Sequence, residues 1–134
     1  MVDTTRYLEW FEMAKIDLKG AEILFEYDGG LGLVCFHSQQ AIEKYFKGYL
    51  IFKTGVLQEG HSLIRLCKKA ISFDDRFKEY LKDCAYVNAF YIETRYPAEE
   101  SLEITEEEVI MCLDITKTII KLIDTIIDED NEQK

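Results

Sequence analysis

The sequence predicts an all-α protein: an antiparallel up-and-down four-helix bundle with an additional short helix. Three observations carry that prediction. The 134 residues hold one proline and seven glycines, so long stretches are free of helix breakers. Apolar residues recur at three- and four-residue spacing in four separate long segments. No segment alternates apolar and polar residues over a useful length, so no strand pattern competes. Short connections between long helices favour antiparallel neighbours. The length suits a single domain over residues 1–134.

The first helix is expected from about Thr5 to Tyr27, because Tyr7, Trp10, Ala14, Leu18, Ala21 and Phe25 share one face. The run "DGGLG" ends it. Val34, Ile42, Tyr45, Tyr49 and Phe52 form the apolar arc of a second helix, which stops at Gly55 in "KTG". Ser62 caps the short helix carrying Leu63, Leu66, Cys67 and Ala70. Asp74 or Asp75 opens the next, with Phe77, Tyr80, Leu81, Cys84 and Asn88 on one side. "YIETRYPAEESLEI" has mixed polarity and the only proline, so it reads as an ordered loop. The last helix begins at "TEEE", a capping box of Thr105 and Glu108, and continues through Val109, Cys112, Ile119, Leu122 and Ile126. Its acidic tail, about 128–134, is expected to fray.

Composition bounds the function. A net charge of −10 argues against general nucleic-acid affinity, but the charge is uneven. From Glu43 to Lys69 six bases face two acids (+4), while from Glu99 to Glu132 twelve acids face two lysines (−10). Both blocks read as solvated helix faces, or the basic block receives an anionic ligand or acidic partner. No apolar run approaches the roughly 18 residues of a membrane span, and the N-terminus lacks the basic and apolar regions of a signal peptide. A cytoplasmic protein with no membrane association is expected. Cys35, Cys67, Cys84 and Cys112 are widely spaced beside apolar neighbours, as reduced structural thiols are. Sixteen Tyr and Phe residues plus one Trp are more aromatic surface than a bundle of this size readily hides, which points to a homodimer.

Several polar residues interrupt the bundle pattern. Asp17 falls in the apolar stripe of the first helix, where a carboxylate needs a partner; Arg95, Lys44 and His37 are the candidates. On the second helix His37, Gln40 and Lys44 form a polar seam, flanked by Ala41 and Gly48, whose small side chains let another backbone approach. Asp17, Glu43 and His61 read as a structural polar network; His37, Gln40, Lys44, Tyr91, Arg95 and Tyr96 are the candidate ligand-binding residues. Arg95 offers a planar fork of donors to phosphate or carboxylate, Lys44 a point charge, and Tyr91 or Tyr96 a ring for stacking. Equally, Arg95 is consumed by Asp17 or Glu43 as an internal ion pair. Two histidines without HxxxH spacing predict no metal site, and "GGLG" follows a helix without GK[ST], so it is no phosphate loop. No catalytic residue and no cofactor can be assigned from these patterns.

"AKIDLKGAEIL", "CFHSQQAIEKYFKGYL", "HSL" and "YIETRYP", in this order, resemble the HEPN domain family, the higher-eukaryote and prokaryote nucleotide-binding domain. The resemblance covers about Tyr7 to Ile127. It implies a four- or five-helix bundle, a prokaryotic homodimer, nucleotide binding, and pairing with a separately encoded minimal nucleotidyltransferase in a toxin–antitoxin-like system. Asp17, His37, Gln40, Glu43, Lys44, His61, Arg95, Tyr96 and Pro97 match its recurrent positions. Many such proteins are metal-independent RNases using an Arg followed four to six residues later by His. No histidine follows Arg65, Arg76 or Arg95 here, so an RNase would use an atypical set such as His37, Arg95 and Tyr96. The expected function is therefore a binding and interaction module, the alternatives being an RNase toxin and a purely structural helical dimer.

Overall fold

The structure is a computed structural model that describes residues 6–93 and 103–133. Helix α1 spans Tyr7–Glu26, α2 Leu31–Thr54, α3 Leu63–Ile71, α4 Leu81–Glu93 and α5 Glu106–Glu132. A 3-10 helix at Asp75–Tyr80 leads directly into α4. Among the described residues there is no strand, and no helix is long and apolar enough to cross a membrane.

The central post is α2. It is buried nearly all round, from Val34 to Ile51, because α1 and α5 lie along it and α3 and α4 close the remaining side. Its aromatic residues organise the core: Tyr45 stacks on Phe11 of α1 with ring centroids 4.0 Å apart, and Phe46 and Tyr49 pack on Phe77. A Cβ at Gly48 would meet the Phe11 ring at 2.6 Å and the Tyr7 carbonyl at 3.1 Å. The missing side chain therefore sets how closely α1 approaches α2.

The ends follow local chemistry. Gly55 closes α2 with φ 73° and donates its N–H to the Ile51 carbonyl. Ser62 Oγ accepts from the Arg65 N–H at the start of α3. The Thr105 hydroxyl accepts from the Glu108 N–H at 3.1 Å while the Glu108 carboxylate accepts from the Thr105 N–H at 3.0 Å, completing the capping box.

Three boundaries differ from the sequence reading. Asp74 does act as a cap, accepting from the Arg76 N–H at 3.0 Å, but the turns it opens are 3-10 and the α-helix starts at Leu81. That tighter segment carries Phe77 into the core. The expected loop begins later than Tyr91, since α4 runs to Glu93; Tyr91 is engaged with rings of α2 and the α3 approach, contacts that helical periodicity does not encode. The acidic tail is helical through Glu132, held by Asp130 on Lys53 and Glu129 on Arg76. Arg95, Tyr96 and Pro97 lie outside the described residues.

Candidate functional site

The first helix presents Asp17 toward α2, at the edge of its buried stripe, where α2 presents His37 and Lys44 seven residues apart. One Asp17 oxygen takes His37 Nδ1 at 3.0 Å and the other takes Lys44 Nζ at 2.5 Å. Only 12% of the Asp17 side chain is exposed, against 33% for His37. Of the three partners proposed from sequence, the structure brings Lys44 and His37 together on Asp17.

A second arrangement of the same kind is built around Glu43. Its Oε1 meets His61 Nδ1 at 3.1 Å and accepts from Gln39 Nε2 at 3.3 Å, and its Oε2 accepts from Lys47 Nζ at 3.1 Å. Gln39 also donates to the His61 carbonyl at 3.0 Å and accepts from Gln40 Nε2 at 2.7 Å. Both Glu43 and Lys47 are buried. A charge pair this deep is tolerated because every oxygen has donors. His61, by contrast, is more than half exposed.

The protein's two histidines are thus held alike. Each turns Nδ1 to a carboxylate whose other oxygen takes a lysine, so the carboxylate is ionised, accepts only, and requires the proton on Nδ1. A neutral imidazole so fixed offers Nε2 as an acceptor, and a protonated one offers it as a donor. The histidines are also linked by rings: His37 packs edge-on to Phe36 (5.5 Å), Phe36 stacks with Tyr91 (6.0 Å), and Tyr91 stacks with His61 (5.4 Å).

Ion pairing changes the reading of the basic block. Lys44, Lys47 and Lys53 are neutralised by Asp17, Glu43 and Asp130, so the remaining positive charge of that segment is carried by Arg65, Lys68 and Lys69 on α3. Sequence reasoning did not single out Gln39, Lys47 and Phe36. The i, i+4 spacings of Gln39, Glu43 and Lys47 were a usable signal for the first two, whereas Phe36 shows its role only through the approach of α4. Among the described residues, no group of three or more His, Cys, Asp or Glu is placed to hold a metal ion.

Both histidine arrangements are thus anchored on the central helix of the bundle, through His37 and Glu43 of α2. The HEPN domain family model matches residues 7–126, and the chain belongs to that family. Its fold resembles that of TT1696 from Thermus thermophilus, with a TM-score of 0.80 and 25% identity over 90% of this chain and 97% of that one. It also resembles ST0689, an archaeal HEPN homologue, with a TM-score of 0.74 and 26% identity over 92% of this chain and 98% of that one. Comparison with curated proteins found no match.

Proposed function

We propose that this HEPN domain protein is a single-domain helical binding and interaction module of the prokaryotic cytoplasm, working as a homodimer. Its ligand is a nucleotide, and its protein partner a separately encoded minimal nucleotidyltransferase of a toxin–antitoxin-like system. The observation that carries the reading is the connected file of His37, Phe36, Tyr91 and His61, two of whose rings are imidazoles with a fixed tautomer. Flat rings suit a base, and imidazole Nε2 suits a phosphate or a base edge. Gln40 and Lys44 border this file on α2 and Arg95 and Tyr96 come after it in sequence, which makes them the further candidate contacts. Four free, buried thiols support a reducing compartment.

The test is a calorimetric titration of ATP and other nucleotides into wild type and Arg95→Ala, with melting temperatures recorded in parallel. Binding by wild type and its loss in the variant, at an unchanged melting temperature, is the expected result. If no nucleotide binds and Arg95→Ala only lowers the melting temperature, the arginine is architectural and the ligand site is abandoned.

The fixed imidazoles favour one second reading, a metal-independent RNase in which His37 moves the proton of an attacking ribose hydroxyl. RNA cleavage and toxicity on expression, both lost in His37→Ala, are its expected signs.

A further inference from the structure

The outer face of α1 is apolar although nothing among the described residues covers it. Met13, Ile16, Gly20, Ile23 and Tyr27 succeed one another at alternating three- and four-residue steps, the spacing of a helix-pairing seam. They lie opposite Phe11, Ala14 and Ala21, which enter the core. Ile16 is 72% exposed and Tyr27 75%, and Met13 and Ile23 are about half exposed. A shallow groove of ≈ 430 Å³ runs over this face between Glu12, Ile16, Lys19, Gly20 and Ile23.

No packing among the described residues requires a glycine at position 20. A Cβ there would find no atom within 4 Å, unlike the Cβ at Gly48. A glycine in mid-helix costs stability relative to alanine, so its presence calls for something that must come close from outside.

We infer that this α1 stripe is the contact between two copies of the chain, paired antiparallel about a two-fold axis at the level of Leu18. The inference rests on the homodimer reading and deepens it by naming the surface. In that register each layer is complementary to itself, as a two-fold contact requires. Ile16 of each copy enters the notch over Gly20 of the other, Met13 meets Ile23, and the Tyr27 hydroxyl reaches the Glu9 carboxylate. Covering the stripe and its flanks removes on the order of 700 Å² per copy, just below the roughly 800 Å² per partner of a stable interface. The flanking glutamates Glu9, Glu12 and Glu26 make the face unsuited to an anionic lipid surface. At the exposed rim like charges oppose, Lys19 with Lys19 and Glu12 with Glu26, so the contact is held by its apolar layers and tightens as salt is raised.

Sedimentation velocity from low to high micromolar protein, at low and high salt, tests this on wild type, Ile16→Glu and Gly20→Ala, with thermal melts of dilute samples. Wild type is expected to dimerise, more tightly in high salt. Ile16→Glu is expected to stay monomeric with an unchanged melting temperature, since that side chain lies outside the core. Gly20→Ala is expected to melt higher when dilute yet dimerise roughly tenfold more weakly, because its methyl fills the notch. If wild type and Ile16→Glu dimerise equally, the contact lies elsewhere and the homodimer reading survives without this surface. If Gly20→Ala dimerises as tightly as wild type, the notch register is wrong. A wild type that stays monomeric throughout overturns both the surface and the homodimer.

Discussion

Tyr45 and Tyr49 sit one turn apart on α2, and both rings are fully buried. Burial pushes both phenols above their ordinary range, helped at Tyr45 by the neighbouring Asp124 carboxylate. Their hydroxyls differ. Tyr45 donates to Asp124 at 2.5 Å, whereas the Tyr49 hydroxyl has no hydrogen-bond partner among the described residues. Tyr45→Phe is therefore expected to lose about 1 kcal/mol, and Tyr49→Phe to be neutral or to gain up to about 1 kcal/mol, in denaturant melts. Asp17 of α1 and Glu43 of α2 form a similar pair. Glu43→Ala leaves Lys47 buried without its counter-charge and should cost about 3 kcal/mol. Asp17→Ala leaves the more exposed Lys44 and His37 and should cost less, about 2 kcal/mol. Equal costs in the same denaturant melts would contradict the burial difference between the two sites.

Each helix owes its position to a few tertiary contacts. At Gly48 the close approach of α1 makes any side chain an intrusion, so Gly48→Ala should destabilise by about 1–3 kcal/mol despite the better helix propensity of alanine. The last turns of α5 are secured by Arg76, whose guanidinium holds both Asp74 (2.8 Å) and Glu129 (2.8 and 3.0 Å). Hydrogen bonding from Arg76 holds the Asp74 carboxyl below the usual carboxylate range. A carboxyl depressed in the folded state contributes stability that is present above its unfolded value, about pH 4, and lost as pH falls through the lower folded value. Because Arg76 is about half exposed, the contribution should stay under about 1 kcal/mol. Thermal melts from pH 7 to pH 2 should show an acid-side loss that shrinks in Arg76→Ala; an identical pH profile would assign the loss to other carboxylates.

At the scale of the whole molecule, all four thiols are buried and fall into two contacting pairs, Cys35 with Cys112 and Cys67 with Cys84. Contact with the partner sulfur, and then burial, pushes Cys112 and Cys84 above the ordinary thiol range. One pair joins α2 to α5 and the other α3 to α4, so the thiols become accessible only when helices separate. Labelling by a disulfide reagent should be negligible in the native protein and should follow the global unfolding transition in denaturant. A thiol that reacts at once in native buffer would show an opening of one helix on its own.

The sequence by itself determined the all-α class, the helix order and most of the helix ends, because those depend on period, caps and breakers within a few residues of each other. Gly55, Ser62, Thr105 and Glu108 act locally, and their chemistry is the same in a peptide as in a bundle. The affinity of Asp17 for a base across the helix interface was also legible, since a carboxylate on an apolar face requires one. Only the tertiary structure decided that Lys44 and His37 share that carboxylate, and that the basic block of α2 is largely spent on internal pairs with Asp17, Glu43 and Asp130. The helical tail through Glu132 and the extension of α4 to Glu93 were likewise decided by the tertiary structure. Their stabilising contacts come from Lys53, Arg76, Phe36 and His61, residues tens of positions away, and helical periodicity carries no information about which distant side chain a fold brings into contact.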